Sequence, residues 1–301
     1  MKAEERTAFA AFIAMSVLAG GNAVAIRFSN RELDPLWGAA LRFTLATALL
    51  VALMAALRVP PPRGRAFTGA VLYGALAIGG AFALAYYGFV ELHAGLGQTL
   101  LATVPLATLF LAVLQRQERL RLDALVGGVI ALAGIAILSQ ATISADVSAL
   151  SVLAVIGAAL CFAEAAILVR YFPPVHPVAL NAFGMGVGAV LLMVGALLAG
   201  ESIELPDRGE TWLALAYLVP IGSVIVFVLY IVVLRYWEAS RAAYEFVLIP
   251  VFTVVLSAWL DDEPLGVGLL LGGPLVLLGV YVGALRRSRP SPRSSDVAEV
   301  T

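Results

Sequence analysis

At 301 residues, 61% hydrophobic and 13% charged, with mean hydropathy +0.97 and formal net charge −1, the chain carries more apolar surface than a water-soluble core can hide. Lys2 is its only lysine, and His93 and His176 are its only histidines. A Walker A loop needs a lysine after its glycines and a retinal-type Schiff base needs one inside a span, so both are excluded.

Ten apolar runs follow one another, near 8–26, 36–57, 67–90, 94–114, 122–139, 149–169, 178–200, 211–234, 240–260 and 265–285. Most are long enough to cross a hydrocarbon slab about 30 Å thick as a helix. The first run has Lys2 and Arg6 ahead of it, as a signal peptide would, but Glu4 and Glu5 oppose that reading and the repeat described below needs the span. Cys161, the only cysteine, lies inside the sixth run, which leaves no disulfide framework and no CxxC metal site. His93 and His176 fall at the ends of different runs, expected on opposite faces, and so do not suit a bis-histidine haem. No cofactor and no metal are expected.

With the amino terminus in the cytoplasm, fifteen of the nineteen Lys and Arg residues fall on cytoplasmic segments. Only Arg27, Arg31 and Arg208 fall on the other side, and Arg42 lies within a span. The positive-inside rule selects this topology, with both termini cytoplasmic, in a bacterial inner membrane. The last stretch, 288–301, is rich in Ser, Pro and charge and is expected to be a disordered tail.

Sliding the chain on itself by 145 residues aligns Pro105 with Pro250, Thr108 with Thr253, Glu118 with Glu263, Gly127 and Gly128 with Gly272 and Gly273, and Gly134 with Gly279. Apolar letters match by chance in membrane segments; this set does not. The expected organisation is all-α, ten transmembrane helices as two inverted five-helix repeats, 1–143 and 144–287. An odd number of spans per half forces the second half to enter from the other side. Halves of swapped sidedness are an architecture of secondary transporters.

Three segments carry a resemblance: AGGNAVAIR (19–27), Pro35 followed by Arg42, and the pattern seen twice as VPLATLFLAVLQRQERL (104–120) and IPVFTVVLSAWLDDEPL (249–265). From about residue 8 to 287 the chain resembles the drug/metabolite transporter superfamily, specifically its ten-helix EamA-type branch. Ala19 stands where that family usually has Trp, and Gln117 and Asp262 stand where Gly usually precedes the glutamate. The resemblance implies export or exchange of amino acids, related metabolites or small drugs.

Charges inside spans are the first candidates for a site, because each costs about 2.5 kcal/mol or more at the bilayer centre unless it meets water or a counter-charge. Arg42 is expected either to hold an anionic group such as a carboxylate, or to serve structurally by tying span 2 to neighbouring carbonyls or snorkelling outward. Glu164, central in the sixth run, is expected to be a proton-accepting or cation-pairing carboxylate, with Arg42 as a potential partner; the alternative is a packing residue. Glu245 is either a cavity carboxylate or the i+4 partner of Arg241.

Asn22, beside Gly20 and Gly21, is expected to face the cavity. Gln98, with Thr99 and Thr103 nearby, lines a path or joins helices. Tyr86 and Tyr230 offer rings to an organic solute, and Trp212, Trp237 and Trp259 suit an interfacial belt. Pro105 and Pro250 are expected to kink their helices symmetrically beside a central site. Glu118 and Glu263 are expected to cap the helices that follow them.

The sequence thus leads to a secondary exporter working by alternating access, monomer or homodimer, with proton coupling through Glu164. Its partners are a small-molecule substrate and the lipid bilayer, and no nucleic acid. A lipid-linked carrier flippase or a non-transporting membrane component is the alternative. An enzyme is not expected, since no span carries a Ser/His dyad, paired aspartates or a metal cluster.

Overall fold

Every described element is a helix. The computed structural model describes residues 3–89, 94–138, 148–260 and 267–286. The expected half boundary at 143/144, the tail, His93 and Glu263 therefore lie outside the described residues, as does the side chain of Trp259.

Five spans are unbroken: span 1, Ala3–Ser29; span 2, Pro35–Ala56; span 5, Leu122–Leu138; span 6, Ala149–Tyr171; and span 7, Pro177–Ala199. Spans 2 and 7 each begin on a proline, whose missing N–H is no loss in the first turn. Span 3 runs Arg65–Tyr73 and Ala81–Phe89 with a π-helical stretch, Gly74–Gly80, between them. Span 8 repeats that plan, with Gly209–Tyr217, a π-helical Leu218–Ile225 and Val226–Tyr236. The two π stretches stand close to the 145-residue register of the sequence repeat.

Span 4 is Ala94–Leu101 and Val104–Leu114, span 9 is Ala239–Ala242 and Glu245–Leu260, and span 10 is Val267–Val280 ending in a π turn, Tyr281–Leu285. Among the described residues nine helices are long and apolar enough to cross a membrane, and Leu122–Leu138 supplies a shorter tenth.

The glycines that revealed the repeat build its seam. Gly127 packs on the backbone of Gly279 and Gly283, and Gly272 packs on the backbone of Gly134. Since the repeat relates Gly127 to Gly272 and Gly134 to Gly279, one contact maps onto the other. An approximate twofold axis therefore passes between spans 5 and 10. Spans 3 and 7 meet the same way, Gly74 on the backbone of Gly184 and Gly188 on Ile78. In a bilayer, where apolar burial gains little, such close backbone approach is what holds helices together. The outward surface is apolar, with Phe110, Leu125, Leu153, Val190 and Leu198 all exposed, as lipid contact requires.

The paired prolines do not act symmetrically. Pro105 stands in the first turn of the second half of span 4, after a break at Ala102–Thr103, where its missing N–H is no loss. In span 9 the break falls at Ala243–Tyr244 instead, and Pro250 lies within Glu245–Leu260. The same residue is thus a helix start in one half and a helix-interior residue in the other.

Candidate functional site

Six of the seven polar and tyrosyl residues singled out within spans collect around one cavity of about 450 Å³. Its wall comes from spans 1, 2, 3, 4, 6, 8 and 9, and that volume suits a small organic molecule. Asn22, Arg42, Tyr86, Gln98, Tyr230 and Glu245 all line it, as do Tyr73, Phe82, Phe162, Phe227 and Phe246.

Arg42 is 3% exposed, so it does not snorkel. Its Nε donates to Ser223 Oγ at 2.8 Å and its Nη2 to the Gly222 carbonyl at 2.9 Å, while its guanidinium stands 5.0 Å from the centroid of the Phe43 ring. Both acceptors belong to the π stretch of span 8. A π turn shifts the backbone ladder from i+4 to i+5, which makes carbonyls available to side chains. Asn22 Nδ2 donates to the same Gly222 carbonyl at 3.2 Å, and a Cβ at Gly222 would strike the Asn22 amide. These two donors hold the irregular backbone in place. The guanidinium keeps further N–H groups, and Arg42 has no acidic partner among the described residues.

Span 1 is knitted into this centre by its own carbonyls. Tyr217 Oη donates to Leu18 O at 2.6 Å, and Thr253 Oγ1 donates to Gly20 O at 3.0 Å. Gly20 and Gly21 permit the approach: a Cβ on Gly20 would lie 2.7 Å from Phe252 Cβ, and one on Gly21 would strike the Tyr217 hydroxyl.

Glu245 is the first residue of the long helix of span 9, 6% exposed, and on the cavity wall with Tyr73 and Tyr230. No side-chain hydrogen bond or ion pair reaches it among the described residues. Arg241, four residues before it in sequence, is engaged elsewhere. Its Nη2 pairs with Glu5 at 2.8 Å, its Nε donates to the Ala284 carbonyl, and its guanidinium lies 3.7 Å from the centroid of the Trp237 ring. Burying a carboxylate without a cation is costly, so Glu245 is a carboxyl group whose ionised form a cationic ligand would complete.

Between these charges runs a chain of rings. Phe227 and Phe43 stand 6.2 Å apart, Phe43 and Phe82 4.9 Å, Phe82 and Phe162 5.9 Å, and Phe162 and Phe246 4.9 Å. Tyr73 closes one side, its hydroxyl 3.2 Å from Asn181 Oδ1, which is itself wholly buried. Phe43, Phe82, Phe162 and Phe227 escaped the sequence reading because an apolar ring in an apolar helix has no distinguishing signal.

Glu164 is not on the cavity wall, contrary to expectation. Its carboxylate accepts from Gln115 Nε2 at 2.6 Å, between spans 4 and 6. Helical phase is the reason: Phe162 and Ala165 face the cavity, and each residue turns the helix about 100°. Glu164 is thereby carried to the flank, away from Arg42.

The face that carries the amino terminus is tied across the halves. Glu118 does not cap the helix after it; it reaches Ser240 at the start of span 9, accepting from the Ser240 amide at 3.2 Å and from its hydroxyl. Burial pushes the Glu118 carboxyl above its ordinary range, against those hydrogen bonds. Arg121 pairs with Glu238 at 2.8 Å, and Arg170 donates to the Trp237 carbonyl at 2.9 Å. Trp237 is 2% exposed and packs on Phe12, so it belongs to the core rather than to an interfacial belt. On the opposite face Glu201 accepts from the amides of Leu36 and Trp37, capping span 2. Glu32 does the same for span 8, and hydrogen bonds from Thr211, Asp207 and Arg208 hold its carboxyl below the usual range.

A family model described as the EamA-like transporter family matches the chain twice, at residues 6–140 and 149–284. An uncharacterized inner membrane transporter of Escherichia coli K12, YedA, is 30% identical over 263 residues, covering 85% of this chain and 84% of its own length. An uncharacterized transporter of Archaeoglobus fulgidus is 26% identical over 273 residues, covering 87% of this chain and 93% of its own. A crystal structure with 19% identity superposes with a TM-score of 0.81 over 93% of this chain and 97% of that one, a likeness of fold.

Proposed function

The chain belongs to the EamA-like transporter family, and on that premise we propose that it is a secondary exporter of amino acids, related small metabolites or drugs, working by alternating access around the cavity. The observation that carries the reading is the pairing within one cavity of Arg42, with N–H groups to spare, and Glu245, with no cation of its own. A solute with a carboxylate, an amine and an apolar body fits these three features. Arg42 receives the carboxylate, Glu245 the ammonium, and the rings of Phe227, Phe82, Phe162 and Phe246 the body.

The halves supply the motion. Ties on the amino-terminal face, through Glu118 and Arg121, and on the opposite face, through Glu32 and Glu201, join different pairs of loops. Breaking one set while keeping the other opens the cavity to one side at a time. Coupling to protons, assigned to Glu164 on sequence grounds, passes in this proposal to Glu245, the carboxylate that lines the cavity.

Counterflow in proteoliposomes tests the assignment. Reconstituted wild type is expected to exchange a labelled zwitterionic amphiphile against excess unlabelled solute. Glu245→Gln keeps the shape and removes the charge, so affinity for the zwitterion falls about ten- to a hundredfold, the value of one charge-assisted contact, while the matching des-amino acid is affected little. Equal loss for both solutes, or loss for neither, would remove Glu245 from the recognition of the amine.

A further inference from the structure

Three spans end on a residue in the left-handed region: span 2 at Arg58 (φ 54°), span 4 at Arg116 (φ 59°) and span 7 at Gly200 (φ 72°). All three close the same terminal turn, in which the next amide returns to a carbonyl five residues back. Val59 N–H meets Met54 O at 2.9 Å, Gln117 N–H meets Ala112 O at 2.8 Å, and Glu201 N–H meets Ala196 O at 3.0 Å. Glycine takes this conformation without hindrance from a Cβ, and span 7 uses it. On the amino-terminal face both positions hold arginine instead, at the expense of backbone strain.

The strained arginines have company. Arg63 follows Arg58 in the loop between spans 2 and 3, Arg65 opens span 3, and Arg119 follows Arg116 in the loop between spans 4 and 5. All five are exposed, and none has an acidic partner among the described residues. Glu118, the acid nearest in sequence, is turned inward to Ser240. Among the described residues no acidic side chain supplies their counter-charge, so they stand open to an anion at the membrane surface. Beside them stand large apolar side chains that are also exposed: Leu57 and Phe67 at the first group, Leu114 and Leu120 at the second. A free phosphate has no use for that apolar rim, whereas a phosphate carrying acyl chains fits both halves of it.

We propose that Arg58 with Arg63 and Arg65, and Arg116 with Arg119, bind the phosphates of anionic phospholipid headgroups on the amino-terminal face. Arginine then occupies the left-handed positions because the turn aims it at the headgroup layer. The helix dipole alone would also favour a cation there, but to the same degree in any lipid.

The full-length protein in nanodiscs separates these accounts by its melting temperature. Adding phosphatidylglycerol to phosphatidylcholine is expected to raise the melting temperature of wild type, salt to erode the rise, and inorganic phosphate in phosphatidylcholine to give none. The Arg58→Gly/Arg116→Gly protein, relieved of strain, is expected to be at least as stable as wild type in phosphatidylcholine and to lose most of the lipid-dependent rise. Arg63→Gln/Arg65→Gln/Arg119→Gln leaves the turns untouched and is expected to lose part of that rise. A full phosphatidylglycerol response in both variants, no response in wild type, or an equal response to inorganic phosphate would each overturn the proposal.

Discussion

Gly279→Leu is expected to leave little folded protein: the monodisperse peak on detergent gel filtration should disappear, or its melting temperature should fall too far to survive purification. A Cβ at Gly279 would lie 2.5 Å from the amide nitrogen of Ala131 and 2.6 Å from the Gly127 carbonyl. These are backbone atoms of span 5 and cannot swing aside. Relief requires spans 5 and 10 to part along the seam where Gly127, Gly134 and Gly272 also touch backbone. The cost should exceed the ~1–3 kcal/mol of an ordinary overpacked core site, because the error is spread along a whole helix pair. Gly209→Leu, at a position with open space around it, is the matched control and should behave as wild type.

Arg42→Ala is expected to abolish saturable binding of a carboxylate-bearing solute, with an affinity loss of about tenfold to a hundredfold or more from the missing charge-assisted contacts. Arg42→Lys should fare little better. An ammonium cannot reach Ser223 Oγ and the Gly222 carbonyl while also presenting a planar fork to the cavity. Ser223→Ala removes one tether and should give a smaller loss, through a less fixed guanidinium. A binding isotherm by scintillation proximity distinguishes these three. Unaltered affinity in Arg42→Ala would assign the arginine to holding the π stretch alone.

Much of the scaffold was legible in the sequence because its signals are redundant. Hydropathy counts the spans, and the repeated Pro, Glu and Gly residues give the register. The glycines proved more informative than the prolines. A glycine at a seam has one physical use, close approach, and both members of the Gly127/Gly272 and Gly134/Gly279 pairs meet it. A proline either starts a helix or sits within one, and Pro105 and Pro250 take different options.

The site was partly legible, since a polar residue within a span must find company. Six of the seven polar and tyrosyl candidates line the cavity. Glu164 shows the limit of that logic: hydropathy places a residue by depth, but helical phase decides which wall it faces, and a single neighbour such as Gln115 can satisfy it. Glu118 shows another, since a loop carboxylate caps whichever helix end lies nearest in space, here that of span 9. The π stretches left no compositional trace beyond their glycines, yet they supply the carbonyl that orients Arg42 and Asn22.

The cavity's role as the path of the solute can be read with one thiol. In a Cys161→Ala background, Ala85→Cys places a single cysteine on the cavity wall with a change of one atom. In sealed vesicles a membrane-impermeant maleimide, applied from one face or the other, reports which side the cavity opens to. The account predicts labelling from at least one face, and a change in its rate or sidedness when a saturating solute identified by counterflow is added. A thiol that labels equally with and without that solute, while the same vesicles carry out saturable exchange, would place the path elsewhere and contradict the account.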